Sequence, residues 1–169
     1  RPLYESQFGN AAVRVEAEAR AYATFDSAKR SVIAGRVKVG SFAGTSIAQA
    51  PPGQLFLAGG GSSVRGYAYK NIGVNGINGT VTGGRSLIEG SIELRQRIGK
   101  SFGVVAFADA GHVDSGILPN FSSKPRIGIG AGLRYYTGLG AIRLDVAIPL
   151  DRQANDPSFG IYAGIGQSF

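Results

Sequence analysis

The sequence predicts an all-β chain, an antiparallel transmembrane β-barrel contributing about seven strands. Three observations point there. Apolar and polar residues alternate with a period of two over long stretches, the connections between these stretches alternate short and long, and no run of apolar residues approaches the roughly 18 that a membrane helix needs. Composition agrees: 169 residues suit a single domain, and charged residues make up 17%, below the roughly 25% of an ordinary soluble domain. Gly is abundant at 27 residues, and Cys, Met and Trp are absent. Without cysteine there is no disulfide framework, Cys metal site or thiol catalysis. The first residues, Arg1-Pro2-Leu3-Tyr4-Glu5, carry no apolar core of a signal peptide, so the chain is expected to be a mature protein or a piece of one.

The first strand is read over Val13 to Phe25. Val13, Val15, Ala17, Ala19, Ala21, Ala23 and Phe25 share one side, and Arg14, Glu16, Glu18, Arg20, Tyr22 and Thr24 share the other. Ala, Glu and Arg favour helix. At 100° per residue, though, these apolar positions would scatter around the whole circumference, so strand is the better reading. The second strand, 32–41, sets Ile33, Gly35, Val37 and Val39 against Arg36 and Lys38. The third, 87–98, sets Ile88, Gly90, Ile92 and Leu94 against Glu89, Ser91, Glu93, Arg95 and Arg97. The fourth, 102–113, sets Phe102, Val104, Ala106 and Ala108 against Gly103, Val105, Phe107 and Asp109. The fifth, 126–136, sets Ile127, Ile129, Ala131, Leu133 and Tyr135 against Arg126, Gly128, Gly130, Gly132 and Arg134. The sixth, 141–148, sets Ile142, Leu144, Val146 and Ile148 against Arg143 and Asp145, and the seventh, 159–169, sets Phe159, Ile161, Ala163, Ile165 and Phe169 against Tyr162, Gly164 and Gly166.

Alternation alone does not separate a soluble sandwich from a membrane barrel. The connections do so better. Asp26–Arg30, Gly99-Lys100 and Thr137–Gly140 are short, while about 42–85, Asp114–Lys124 and Leu150–Ser158 are long. Tight turns at one end and long loops at the other are the layout of outer-membrane barrels. Aromatic residues near strand ends (Phe25, Phe102, Tyr135, Phe159, Phe169) are expected to form interfacial girdles. Seven is an odd number, so the strands are expected to be a portion of a larger barrel or to close by oligomerising as a homo-oligomer. Residues 1–10 are expected to add at most part of a further strand or loop, because Pro2 and Gly9 interrupt it.

The long connection carries Leu55-Phe56-Leu57-Ala58-Gly59-Gly60-Gly61-Ser62-Ser63-Val64-Arg65-Gly66-Tyr67-Ala68-Tyr69-Lys70-Asn71-Ile72-Gly73. This block resembles the signature of the BamA/TamA family of outer-membrane insertases, whose sixth external loop carries a Val-Arg-Gly-Phe/Tyr tetrapeptide. GGRSLIEGSIELRQRI (83–98), VVAFADAGHV (104–113), GIGAGLRYYTGLGAIRLDVAIPLD (128–151) and FGIYAGIGQSF (159–169) resemble the strands that follow, in order and over nearly the whole chain. The wording is closest to the TamA branch. The resemblance implies a sixteen-stranded barrel preceded by periplasmic POTRA domains. This chain would supply its last seven strands, without the POTRA domains or the first strand, which gates laterally with the last. It also implies that the loop at about 42–85 folds into the lumen.

Arg65 sits in a Gly-rich loop that no apolar period explains, and a guanidinium seeks a planar carboxylate. The lumen-facing sets of the third and fourth strands offer Glu93 and Asp109. The family pairs its loop Arg with acidic residues on these strands, so the resemblance assigns Glu93 and Asp109 to Arg65, with Glu89 as a possible substitute. Gly66 would permit positive φ, and Tyr67 would anchor the loop tip by packing or hydrogen bonding. The bland alternative is three solvated surface charges. The last strand, with Tyr162, Gly164, Ile165 and Phe169, resembles the signal by which barrels are recognised for insertion. Its glycines weaken it, and an edge so weakened would open and template an incoming strand.

Other chemistry finds little support. GIGAGL and GGGSSVRG lack the helix that a nucleotide loop requires. His112, the lone histidine, lies near Asp109 and Asp114 and reads as a lumen or rim residue rather than a metal ligand. No carboxylate pair stands out for acid–base work. The net charge of +7 is spread singly over strands and turns, with no base-stacking aromatics, which fits lipopolysaccharide phosphates or acidic lumen partners better than nucleic acid. The expectation is therefore a non-enzymatic part of an assembly or translocation factor, without cofactor or metal. Its partners would be membrane lipid, lipopolysaccharide, client outer-membrane proteins and, through periplasmic domains, an inner-membrane-anchored TamB-like protein. A passive or secretion pore, and the barrel anchor of a separate enzyme domain, stay open as alternatives.

Overall fold

The structure is a computed structural model that describes the backbone of 2–3 and residues 12–76, 79–121, 123–138, 140–153 and 156–169. Long alternating segments become long strands: β2 (Ala12–Thr24), β3 (Ser31–Ala43), β6 (Ser86–Ile98), β7 (Phe102–Asp114), β8 (Arg126–Thr137), β9 (Gly140–Pro149) and β10 (Gly160–Ile165). A two-residue β1 (Pro2–Leu3) pairs with Ala12 and Val13, and the rest of the expectation for 1–10 lies outside the described residues. The strands form one antiparallel sheet in the order β1-β2-β3-β6-β7-β8-β9-β10. Among the described residues β10 pairs only with β9 and β1 only with β2, so this sheet has two edges.

The short turns carry their own chemistry. Between β2 and β3 the Asp26 carboxylate accepts the backbone N–H groups of Ser31 at 2.7 Å and Arg30 at 2.9 Å. Those bonds hold its pKa below the ordinary aspartate value. Their stabilisation is present above the unfolded pKa and is lost as pH falls through the lowered folded value.

The two faces separate as the alternation requires. Val13, Val15, Ile33, Val37, Ile92, Leu94, Val104, Leu133, Leu144, Val146 and Ile161 all remain exposed on the outward face. They do not meet across a second layer. The opposite face is buried by the long loop, which fills the concave side of the sheet. Loop residues Ala50, Phe56, Ala58, Val64, Tyr67 and Ile72 make one apolar cluster with Phe42, Leu87 and Val113 of the strands. The inward face is thus apolar at its loop end and ionic further in, rather than uniformly polar and wet. Loop residues 44–85 also contain a 3-10 turn (Pro52–Gln54) and a small ribbon of β4 (Val74–Asn75) with β5 (Val81–Thr82). Phe42 and Ala43, expected in the loop, belong to β3 because Phe42 N–H still bonds to the Arg85 carbonyl at 2.7 Å.

The last strand departs from expectation. It ends at Ile165 rather than running to Phe169, because Gly166 takes φ 93° and turns the chain. Phe159 precedes it. Phe169 consequently leaves the expected aromatic girdle: it is only 9% exposed and lies on the interior side, 5.1 Å from the Arg95 guanidinium and 5.7 Å from that of Arg36. Phe25, Phe102, Tyr135 and Phe159 do remain exposed.

A cation placed on an apolar face at mid-strand has nowhere to go in lipid. Leu144→Lys is expected to destabilise the folded state by about 2–4 kcal/mol in a bilayer, measured by denaturant titration of the full-length protein in lipid vesicles. No loss would place this face somewhere other than in acyl chains.

Candidate functional site

The site is built where the tip of the long loop meets the inward faces of six strands. Its floor is made of missing side chains. A Cβ on Gly128 would lie 1.8 Å from the Arg65 carbonyl oxygen, and one on Gly111 would lie 2.5 Å from Val64 Cγ2. Gly130 leaves room for the Phe107 ring and Gly132 for the Asp145 carboxylate, at 2.4 and 1.9 Å from the positions their Cβ atoms would take. Gly66 itself has φ 99° and sits against the backbone of Ile148 and Pro149. Of the three β8 glycines, Gly128 thus seats the loop backbone, while Gly130 and Gly132 make room for the Phe107 and Asp145 side chains that meet Arg65.

Arg65 descends onto this floor and is 2% exposed. Its Nε donates to Asp109 Oδ2 at 2.7 Å and its Nη2 to Asp109 Oδ1 at 2.9 Å, a two-point fork. The Arg65 backbone N–H donates to the same carboxylate at 3.1 Å. Nη1 pairs with Glu93 Oε1 at 2.7 Å and reaches Asp145 Oδ2 at 3.4 Å. The guanidinium lies over the Phe107 ring, 3.4 Å from its centroid. Burial works against the charge of Arg65. The hydrogen bond and attraction of Asp109, then those of Glu93, outweigh it and hold the pKa above the ordinary arginine value.

Each carboxylate has other partners, so the charges form a network. Glu93 pairs with Arg95 at 2.7 Å and accepts a hydrogen bond from Ser168 Oγ. Asp145 accepts from Arg134 and lies 3.6 Å from Arg143 Nη1. Glu93 and Asp109 therefore stand where the family pairing places them. Glu89, the possible substitute, does not reach Arg65. It pairs with Arg36 at 3.3 Å and accepts from Ser63 Oγ, one step back along the loop. The difference follows from register: Glu89 lies opposite Lys38 and Gly111, nearer the loop end of the sheet than Glu93.

Asp145, Phe107 and Arg134 were missed by reading the sequence. Alternation put Asp145 on the inward face of β9 and Phe107 beside Asp109 on that of β7, but nothing local said that three strands, β6, β7 and β9, converge on one guanidinium. Tyr162, read as part of the terminal strand, also turns out to hold the loop. The Gly66 N–H donates to Tyr162 Oη at 2.9 Å, and that hydroxyl donates to the Tyr67 carbonyl at 3.2 Å. Tyr67 is 1% exposed, and its hydroxyl donates to the Ile127 carbonyl at 3.1 Å. Gly164 abuts the Arg143 side chain, whereas Ile165 points outward. His112 sits at the loop end on the outward side of β7, beneath the next external connection, and not in the interior. Among the described residues no group of three His, Asp or Glu stands where it could hold a metal.

The Omp85 superfamily domain matches residues 5–169. The chain belongs to the Omp85 superfamily. Its fold is similar to that in the crystal structure of BamA from Haemophilus ducreyi lacking POTRA domains 1–3, with a TM-score of 0.71 at 21% sequence identity over 95% of this chain. The chain spans 40% of that BamA chain. The likeness extends to the sheet and loop as a unit, since almost all of this Omp85 chain is covered.

Two outcomes test the site. Truncating one partner of a buried pair leaves an uncompensated charge and costs about 3–5 kcal/mol. Arg65→Ala and Asp109→Ala are each expected to lower the thermal midpoint of the full-length protein in detergent. The double variant is expected to be less destabilised than the sum of the two, and strict additivity would deny the pairing. Gly128→Ala places a methyl against the Arg65 carbonyl and is expected to cost about 1–3 kcal/mol by overpacking. Unchanged protease resistance of the loop in that variant would contradict the seat.

Proposed function

We propose that this chain is the membrane-embedded C-terminal part of an outer-membrane protein assembly factor. Its apolar wall spans the outer membrane of a Gram-negative bacterium. It inserts or translocates client β-barrel or autotransporter proteins by lateral opening at β10, with no catalytic residue, cofactor or nucleotide. Membership of the Omp85 superfamily and the BamA-like fold support the class of function. The observation that carries the gating part is Tyr162: one hydroxyl ties the pinned loop tip to the edge strand. β10 makes six paired positions with β9, against ten between β8 and β9, so it is the more easily released strand. An edge strand with free backbone groups templates another strand by β-augmentation.

In this reading the loop lock is the fixed point and β10 the moving one. Lipid and lipopolysaccharide surround the wall, and client proteins pair at the edge. The TamA-like wording of the sequence blocks is the support for an autotransporter clientele and for a TamB-like partner reached through periplasmic domains. The filled concave face argues against a passive pore, because Phe56, Val64 and Tyr67 occupy the space a channel would use.

A cysteine pair joining β10 to the strand beside its free edge in the full-length protein tests this directly. Client insertion into vesicles is expected to stop in the oxidised protein and return on reduction. Unimpaired insertion in the oxidised state would remove the gate.

A further inference from the structure

One carboxylate of the inward network, Asp145, faces three guanidinium groups. Arg134 donates a hydrogen bond to it, Arg65 Nη1 comes within 3.4 Å and Arg143 Nη1 stays at 3.6 Å. Arg65 has Asp109 and Glu93 besides, and Arg134 holds the hydrogen bond to Asp145. Arg143 is the cation left over. It also lies directly opposite Arg134 on the neighbouring strand, a like-charge pair that a sheet disfavours. Among the described residues Arg143 has no hydrogen bond, and its Nε and Nη1 are shut away from solvent without a partner. Burying such donors unmet is costly, so a missing acceptor is expected nearby.

A glycine sets where this guanidinium goes. Arg143 pairs in register with Gly164 of β10, and a Cβ on Gly164 would lie 3.0 Å from Arg143 Nε and 3.6 Å from Nη2. The arginine side chain therefore runs from β9 across the inward side of β10, toward the free edge. Its Nη2 is the nitrogen that is not enclosed. β10 itself supplies no acid, since its inward positions are Gly160, Tyr162 and Gly164. A strand added at the edge would stand about 4.8 Å beyond β10 and roughly 9.6 Å from β9. An arginine and an Asp or Glu reaching toward each other cover that span. The residue opposite Gly164 on the added strand would point to the same inward face.

We propose that Arg143 is the selectivity element of the β10 edge: it takes a carboxylate presented by an incoming client strand, an Asp or Glu at the inward position opposite Gly164. The inference rests on the gate proposed above and adds which strands that edge prefers. Pairing through the main chain is open to any extended segment, so specificity has to come from side chains. A half-satisfied arginine beside the edge supplies it. A carboxylate completes its charge, a neutral residue leaves it as it is, and a lysine adds a further cation beside Arg134 and Arg143. Gly164 is then the opening through which Arg143 reaches the edge, as well as a weak point of the strand.

The test uses the full-length protein in nanodiscs and strand peptides of about ten residues that alternate Val and Thr, with one central Thr replaced by Asp, Asn or Lys. A photo-crosslinking residue in place of Ile161, which is exposed on the outward side of β10, reports docking at the edge whatever the charge of the peptide. Fluorescence anisotropy of the labelled peptide gives its affinity. The Asp peptide is expected to bind about tenfold tighter than the Asn peptide, and the Lys peptide weakest of the three. In Arg143→Gln the Asp and Asn peptides are expected to bind alike, with affinity for the Asn peptide unchanged. Arg143→Glu is expected to favour the Lys peptide. Gly164→Val keeps the arginine but blocks its path, and is expected to lose the preference too, a second route should Arg143→Gln fail to fold. Equal binding of the Asp and Asn peptides to the unaltered protein, both crosslinked at β10, would overturn the selectivity and leave the gate standing. So would a preference for Asp that survives Arg143→Gln. No crosslink with any peptide would remove the gate itself, and this inference with it.

Discussion

A buried guanidinium held by three carboxylates is the constraint on which the interior depends. Arg65, Glu93, Asp109 and Asp145 are all at most 2% exposed, so none of these charges is repaid by water. Each therefore needs the others, and the loop cannot leave without stranding acids on β6, β7 and β9. An apolar loop tip of the same size would be displaced more gradually. The ionic one is either seated or not, which suits the fixed point of the gate proposed above.

The seat explains features that look like weaknesses in isolation. Glycine at positions 128, 130 and 132 of β8 lowers the propensity of that strand, yet the backbone of Arg65 comes closer to Gly128 than any side chain would permit. The loop supplies most of the hydrophobic core through Phe56, Val64, Tyr67 and Ile72, while the strands spend their own apolar residues on the outward face. The fold is thus inside out relative to a soluble sandwich. Removing the loop would leave the inward surface with neither apolar cover nor charge balance.

Much of this is legible in the amino-acid sequence. The period-two pattern located six of the seven long strands to within two residues at both ends, because one face is wholly apolar and a register slip would invert it. The last strand was the exception. Alternation continues through Phe169, and only the positive φ of Gly166 ends the strand, which a pattern of residue types does not reveal. Arg65, Glu93 and Asp109 were reachable through the family motif. Asp145 and Phe107 were not, since their convergence depends on sheet curvature and on how deep the loop descends. The outward cover formed by residues after Asp114 was equally hidden: His112 looked like an interior or rim residue, and its place under Phe121 depends on a loop folding back against the wall.

The account stands on the loop tip being held inside by Arg65, and the most direct measurement is chemical access to that tip. A cysteine placed at Val64, which is 0% exposed, can be challenged in intact cells with a membrane-impermeant maleimide. Protection is predicted, and the same cysteine is predicted to become labelled when Arg65→Ala is added. Prompt labelling with Arg65 in place would contradict the lock.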